Sequence, residues 1–179
     1  MLNLAQDGPP STLTDSSPSR VLEYRRYWRP GREFVYMVEP IPKTPIPPDS
    51  FADNGLVELQ ALDNRGTFLA MERSFAVGVG NTVVLYETTR RGATNVSKFE
   101  SLAPSGGPPV PFVPMDKRFV LDFEADLGVT PDNLEGMAFG PPLPDGRLPL
   151  ILVSDNNFNP NQVTQFIVVA IRLEPVRGH

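Results

Sequence analysis

Two stretches of this sequence read as copies of one structural module. The first covers residues 58–75 and the second residues 135–158. Each begins with a glutamate at a short apolar strand, passes through a turn that contains Asp, Gly and Arg, and continues into a second apolar strand followed by an acidic residue and a Phe. Because self-similarity of this kind is the signature of repeat architectures, the chain is predicted to consist of repeated units.

Short strands joined by turns account for most of the sequence. The 179 residues include 21 prolines and 14 glycines, a content that is high for a helical protein. Apolar residues recur with period two or in short runs rich in Val, Ile, Phe and Tyr, as in strands. The fold class is therefore predicted to be all-β. The predicted strands cover residues 21–27, 33–38, 57–62, 67–72, 82–87, 118–123, 136–139, 150–154 and 165–173.

Grouping these strands by the repeat predicts a partial β-propeller of about two to two and a half four-stranded antiparallel blades. The Pro-rich segments 41–50 and 104–114 are predicted loops. The segment from Thr130 to Asn133 is predicted to form a short helical turn, with Thr130 as its cap. The predicted organisation is a loop or blade remnant at 1–20, a blade end at 21–40, a full blade at 56–124 and a C-terminal blade at 132–174.

A propeller needs about four or more blades to close its ring, so this number of blades cannot close alone. Three interpretations remain open at this point. The chain is a piece of a larger propeller, or it self-associates with other copies through unpaired blade faces, or it is a small sandwich instead.

Several function classes are excluded by composition. A net charge of −5 without a basic stripe argues against nucleic-acid binding. The absence of cysteine excludes disulfides, thiolate metal sites and Cys nucleophiles. The only histidine is the terminal residue His179, which is poorly placed as a general base. The N-terminal residues do not form a signal peptide, and no apolar stretch is long enough to span a membrane.

Glu58 and Glu135 are each followed at once by apolar residues of a predicted inner strand. Burying an unpaired carboxylate there would cost several kcal/mol, so a partner is expected, and Arg73 is a candidate. In one interpretation these glutamates bond to backbone amides of a neighbouring blade and are purely structural. In the other, Glu58, Glu72, Glu135 and Asp155 line the central channel and hold one or more calcium ions.

The segment 155–160, Asp-Asn-Asn-Phe-Asn-Pro, has the alternating oxygen ligands of a calcium loop but not its other requirements. Pro160 occupies the position of the required Gly, and Phe166 that of the bidentate Glu. The segment is then either a polar turn or a contributor of oxygen ligands to a cation site. Three basic side chains after the third strand of the full blade are either solvated or contacts for an anionic substrate: Arg90, Arg91 and Lys98.

The residues of both copies resemble the C-terminal part of the phytase-like family, the group described as having esterase-like activity of phytase. The resemblance lies in residues 133–141 (Asn-Leu-Glu-Gly-Met-Ala-Phe-Gly-Pro), 144–147 (Pro-Asp-Gly-Arg) and 152–158 (Leu-Val-Ser-Asp-Asn-Asn-Phe). The segments 54–62 and 68–75 look like the preceding blade. Together these segments span most of residues 20–173.

What this resemblance implies is a β-propeller, usually in exported bacterial proteins that are periplasmic or secreted, with ester or phosphoester hydrolase activity. By analogy with β-propeller phytases, calcium would bind phosphate and activate water, and the substrate would be a small phosphorylated or ester compound. The roles carried over are catalysis for Glu135 and Asp155, substrate binding for Arg73 and Asn156, and metal binding for Glu58, Glu72, Glu135, Asp155 and Asn157.

Full members of the family would need further N-terminal blades, so the chain is expected to be a fragment or a truncated product. The leading hypothesis is a fragment of a phytase-like hydrolase that acts through carboxylate-bound metal and water. The alternatives are a non-catalytic propeller module for binding or interaction, and a truncated gene product without activity.

Overall fold

The computed structural model describes residues 7–103 and 107–172. Three parts of the sequence predictions lie outside the described residues: His179, residue 173 at the end of the last predicted strand, and residues 104–106 of the second Pro-rich loop. Within the described ranges the chain is all-β, as predicted, with three antiparallel sheets of two, four and three strands that are consistent with a partial propeller. The elements are β1 (Ser17–Arg25), β2 (Arg29–Val38), β3 (Ala52–Ala61), β4 (Thr67–Ala76), β5 (Gly80–Thr89), β6 (Asp116–Asp122), α1 (Phe123–Leu127), β7 (Leu134–Phe139), β8 (Leu148–Ser154) and β9 (Phe166–Ile171).

The four-stranded sheet contains the strands that the repeat grouped into a full blade. Strands β3, β4, β5 and β6 pair in sequence order, each antiparallel to the next. The tight turn between β4 and β5 requires Gly78, which has a φ of +74° and approaches the main chain of Ile46 so closely that a Cβ would lie 2.4 Å from its carbonyl oxygen. The short connections of this sheet therefore follow from its turn residues.

The predicted helical turn at Thr130 to Asn133 is wrong, because that segment has no helical conformation. A one-turn helix, α1, forms a few residues earlier instead. The Asp122 side chain accepts hydrogen bonds from the amides of Glu124 and Ala125, and Gly128 ends the helix in the left-handed conformation. Phe123, predicted at the end of a strand, is the buried first residue of this helix.

The chain divides into two compact units, one up to Thr130 and one from Pro131 onward. The first unit contains β1 to β6 with α1, and the second contains β7 to β9. In the first unit, one face of β2 packs on the four-stranded sheet. Its core consists of Phe34, Tyr36 and Val38 of β2 with Ala70 of β4 and Met115.

A long connection from β5 to β6 covers the other face of β2. Val96 and Leu102 of this connection are buried against Val35. The Val96 amide donates to the Glu33 carbonyl oxygen at 2.8 Å, and the Met115 amide donates to the Val35 carbonyl oxygen at 2.7 Å. A two-stranded sheet is marginal by itself in water. Here the β1–β2 pair is packed on both faces by its own chain.

Arg20 of β1 binds the connection between β5 and β6 through charged hydrogen bonds. Its guanidinium donates to Asp7 Oδ2 and to Glu33 Oε2, both at 2.7 Å, and to the carbonyl oxygen of Phe99 at 2.8 Å. Asp7 in turn accepts from the Leu102 amide at 3.0 Å. Burial by itself would lower the pKa of Arg20, but the hydrogen bonds and charges of Glu33 and Asp7 outweigh it and leave the pKa raised, so Arg20 stays a cation.

In the second unit, the two faces of the three-stranded sheet differ in exposure. Leu150 and Leu152 of β8 are fully buried. Ile151, Phe166 and Val168 face the other way and are exposed, with Ile151 directly opposite Val168. Self-association through such an apolar face stays a prediction.

The turn between β3 and β4 is organised by one carboxylate, and this makes its stability dependent on pH. Asp63 accepts from the amides of Arg65 (2.8 Å) and Thr67 (3.0 Å) and from the Thr67 hydroxyl (3.1 Å). These bonds, led by that of the Thr67 amide, lower the pKa of Asp63 to about 2. The ordinary value is about 3.9, so the ionised form stabilises the fold above that pH and its contribution is lost as the pH falls towards 2.

We therefore expect the melting temperature of an Asp63→Asn variant to lie below that of the wild type at pH 7. The gap should narrow between about pH 4 and pH 2, where the native carboxylate becomes protonated. Thermal melts across this range measure it, with Asp49→Asn, an exposed aspartate outside the turn, as the control. A gap that does not change with pH would contradict a role for the charge of Asp63.

Candidate functional site

The two copies of the module share a β-bulge, and the bulge corrects their alignment by one residue. In β3 the bulge residue is Val57, between the paired positions Leu56 and Glu58, whereas in β7 it is Glu135, between Leu134 and Gly136. Glu58 therefore corresponds to Gly136, and the equivalence of Glu58 with Glu135 expected from the sequence is wrong.

The same offset appears on the partner strands. Leu56 pairs with Glu72, and Leu134 pairs with Ser154, so Glu72 corresponds to Ser154 and not to Asp155. Because side chains alternate between the faces of a strand, an offset of one residue changes the face that a side chain occupies. The two copies thus share a backbone while presenting acids at different positions.

Glu72 is the most buried acid of the first unit, with 3% of its side chain exposed. Its Oε1 accepts from the Tyr36 hydroxyl at 2.6 Å and from Lys117 Nζ at 2.8 Å. Its Oε2 accepts from the Glu39 amide and from Asn54 Nδ2, both at 3.0 Å. Four donors therefore occupy this carboxylate.

Lys117 completes the cluster around Glu72. Its Nζ also donates to the Met37 carbonyl oxygen and to Glu39 Oε1, both at 2.7 Å. The ammonium lies 4.8 Å from the ring centre of Tyr36 and 4.4 Å from that of Tyr86. Strands β2, β4 and β6 are thus joined through one buried ion pair. A cavity of about 40 Å³ beside it, lined in part by Glu72 and Tyr86, has room for about one water molecule.

The two tyrosines of this cluster are held in the neutral form. Burial, followed by the charge of Glu72, raises the pKa of Tyr36 far above its usual range. The same two causes, in the same order, raise the pKa of Tyr86. The Tyr36 hydroxyl is consequently a hydrogen-bond donor to Glu72 at neutral pH.

The other predicted residues of the first unit are Glu58 and Arg73. Glu58 is half-buried, and its Oε1 accepts from the amide of the next residue, Leu59, at 2.8 Å. Arg73 is buried on β4, next to Glu72 in sequence, but the cation bonded to Glu72 is Lys117. Metal binding by Glu58 and Glu72 and substrate binding by Arg73 stay predictions.

Asn133 connects the two predicted catalytic residues of the second unit. Its buried Nδ2 donates to Glu135 Oε1 at 2.9 Å and to the Asp155 carbonyl oxygen at 3.0 Å. The Asp155 amide donates back to the Asn133 carbonyl oxygen at 3.0 Å. Glu135 at the start of β7 and Asp155 after the end of β8 are therefore held beside the same asparagine.

The polar segment after β8 uses its side-chain oxygens to bind its own backbone. Asp155 Oδ1 accepts from the Asn157 amide at 2.9 Å, and Asn156 Oδ1 accepts from the Phe158 amide at 3.1 Å. Asn157 and Phe158 have positive φ values of 50° and 53°. Asp132 anchors the end of the segment, since its Oδ2 accepts from the Val163 amide at 2.6 Å. The geometry is that of the polar turn considered as one interpretation of the sequence.

Within the part of the chain that the structure describes, no three acidic or histidine side chains lie close enough together to hold a metal ion. The hard oxygen donors of Glu135, Asp155 and Asn157 nevertheless suit calcium chemically. Their metal roles, the catalytic roles of Glu135 and Asp155, and the substrate role of Asn156 stay predictions.

Sequence reasoning missed Lys117 and Asn133, the two residues that organise the acids. Lys117 comes from a strand 45 positions away from Glu72, and no local pattern connects them. The only available signal was alternation, because period two places Lys117 on the opposite face of β6 from its charged neighbours Asp116 and Arg118. Asn133 lies directly before the module and was predicted to be the end of a helical turn.

One comparison with known proteins identifies a family. The family model of the phytase-like domain, described as esterase-like activity of phytase, matches residues 2–158. No curated protein and no solved structure matches the chain significantly. None of the helices in the described ranges is long and apolar enough to cross a membrane. With its matched module copies and all-β sheets, the chain belongs to the phytase-like family.

Proposed function

We propose that the chain is part of an ester or phosphoester hydrolase in which Glu135 and Asp155 carry the reaction together with a calcium ion. One observation supports this above others: Asn133 joins the Glu135 carboxylate to the Asp155 main chain, in a chain of a family described by esterase-like activity. The substrate class is a small ester or phosphate ester.

In this proposal the two carboxyl groups divide the proton transfers of hydrolysis. One carboxylate accepts a proton from the attacking water, whose oxygen bonds to the acyl carbon or the phosphorus. The bond to the alcohol oxygen breaks, and the leaving oxygen takes a proton from the other carboxyl group. Asn133 fixes the position of Glu135, and Asn156 would contact the substrate. When bound, calcium would polarise the ester oxygen.

The test measures hydrolysis of p-nitrophenyl butyrate and p-nitrophenyl phosphate by the full chain, with calcium and with EDTA. We expect Glu135→Gln to lower kcat by about 10²-fold or more, since positioned acid–base groups contribute that much. The matched control is Glu100→Gln, an exposed glutamate of the first unit. Equal rates for Glu135→Gln and the wild type would overturn the assignment.

The metal part of the proposal has its own readout. A ligand that binds only the folded chain raises its stability, so millimolar calcium should raise the melting temperature of the wild type. Glu135→Ala should abolish that rise, whereas magnesium and the Glu100→Gln variant provide the controls. The absence of any thermal response to calcium would eliminate the metal while leaving the carboxylate pair to be judged by hydrolysis alone.

A further inference from the structure

A pocket of about 360 Å³ opens in the first unit between the β1–β2 pair and the β3–β4 hairpin. Its volume lies within the range of small-molecule sites. Its walls are largely apolar and include two aromatic rings, and charged side chains also line it. The apolar wall is formed by Val21, Phe34, Leu59 and Phe68.

Three charged side chains line this pocket, and its two carboxylates already accept hydrogen bonds. Asp63 accepts the hydrogen bonds of its own turn, described above. Glu23 Oε2 accepts from Arg32 Nε at 3.2 Å and from Arg32 Nη2 at 2.9 Å. Arg90 Nη1 forms an ion pair with that same Glu23 oxygen at 3.8 Å, a distance longer than a hydrogen bond. Within the described residues the Arg90 guanidinium donates no hydrogen bond, so its donors are available to a ligand.

Gly66 positions Arg90 in the lining of the pocket. The Arg90 amide donates to the Gly66 carbonyl oxygen at 3.0 Å. Gly66 has a φ of +98°, and a Cβ there would lie 2.1 Å from Arg90 Nε. The arginine side chain thus lies directly against the glycine, and its Cζ is 5.8 Å from the ring centre of Phe34. The Arg90 side chain therefore packs on the β3–β4 turn at Gly66, and its guanidinium lies near the Phe34 ring of the apolar wall.

We propose that this pocket binds a monocarboxylate with an apolar body. The carboxylate accepts two parallel hydrogen bonds from Arg90, because the planar guanidinium matches that geometry. The aliphatic or aromatic body lies against Phe34, Leu59 and Phe68. A single positive group with the acids Glu23 and Asp63 nearby favours a singly charged ligand over a phosphate dianion. The proposal concerns the first unit only and does not depend on the proposed hydrolysis.

Titration of the ¹⁵N-labelled full chain with sodium hexanoate, followed by amide NMR shifts, tests this site. We expect saturable shifts at Leu59, Gly66 and Phe68. Arg90→Gln should weaken hexanoate binding by about tenfold or more, as expected for loss of charge-assisted hydrogen bonds. Arg118→Gln, which removes an exposed arginine that does not line the pocket, should keep the affinity within about twofold.

Two further probes separate the parts of the ligand. Acetate lacks the apolar body and hexan-1-ol lacks the charge, so both should bind at least about tenfold more weakly than hexanoate. The proposal is overturned if hexanoate shifts none of the pocket amides or if Arg90→Gln binds it as the wild type does. Inorganic phosphate that saturates the same amides as tightly would also overturn it, because the apolar wall would then contribute nothing.

Discussion

Replacing Lys117 by Met is expected to lower the free energy of unfolding by about 3–5 kcal/mol, because it leaves the buried carboxylate of Glu72 without its cation. Three of the four donors to Glu72 would remain, but none of them carries a charge. Urea or thermal unfolding of the variant measures the loss. The adjacent substitution Arg118→Met removes an exposed ion pair with Glu87 and should cost less than about 1 kcal/mol.

A double-mutant cycle separates the ion pair from the burial of its parts. The double variant Glu72→Gln with Lys117→Met should regain much of the stability lost in the single Lys117 variant, since no unpaired charge remains. If Lys117→Met and Arg118→Met lower the free energy of unfolding by the same amount, the buried cluster contributes no more to stability than a surface ion pair. If the double variant is less stable than Lys117→Met alone, the neutral hydrogen bonds of Glu72 matter more than its charge.

Replacing Leu102 by Ala is expected to cost about 2–4 kcal/mol, although the residue belongs to a loop. Leu102 is buried in the cluster that covers the outer face of β2, and removal of a buried leucine side chain loses both transfer energy and packing. Its main-chain bonds to Asp7 and Val110 do not involve the side chain and remain available in the variant. Leu13→Ala, at an exposed leucine, is the matched control and should cost less than about 1 kcal/mol.

Limited proteolysis gives this prediction a second measurement. A loop held by its own core resists cleavage until it opens locally, so Leu102→Ala should increase cleavage within residues 92–115 under native conditions. If Leu102→Ala is as stable and as resistant to proteolysis as Leu13→Ala, the loop covers β2 without stabilising it.

The strands were predictable because their signal is local. Alternating apolar residues bounded by Gly, Pro and Asn identified each strand of the described residues. In the first unit the observed strands extend two to five residues beyond the predictions at one or both ends, whereas the predictions for β1, β3 and β6 run one or two residues past the observed C-terminal ends. The sequence contains two possible helix caps, Asp122 and Thr130, and the prediction placed the helix at Thr130, which is wrong. Asp122 is followed by helix-forming residues and by Gly128 at the correct distance for a stop, whereas Thr130 is followed by Pro131 and by residues that favour turns.

The acids of the candidate site were less predictable, because their roles depend on partners from distant segments. Glu72 could be recognised as a buried strand acid, but its pairing with Lys117 follows from the order of strands in the sheet. The predicted equivalence of Glu58 with Glu135 is wrong because a sequence comparison matches identical residues. In the structure the two copies superpose by their bulges, at positions 57 and 135. A bulge inserts one extra residue into a strand, and the residue letters alone do not show where that insertion lies.

The bulge shared by β3 and β7 also marks where such a module can acquire new chemistry. The ladder register skips this extra residue, so a change of its side chain does not alter the pairing of the neighbouring residues. Val occupies this place in one copy and Glu in the other. A substitution there alters what the strand end presents while the sheet keeps its register. The bulge position can therefore change its side chain while the fold is kept. The substitution Val57→Glu would place a second acid at this position of the module.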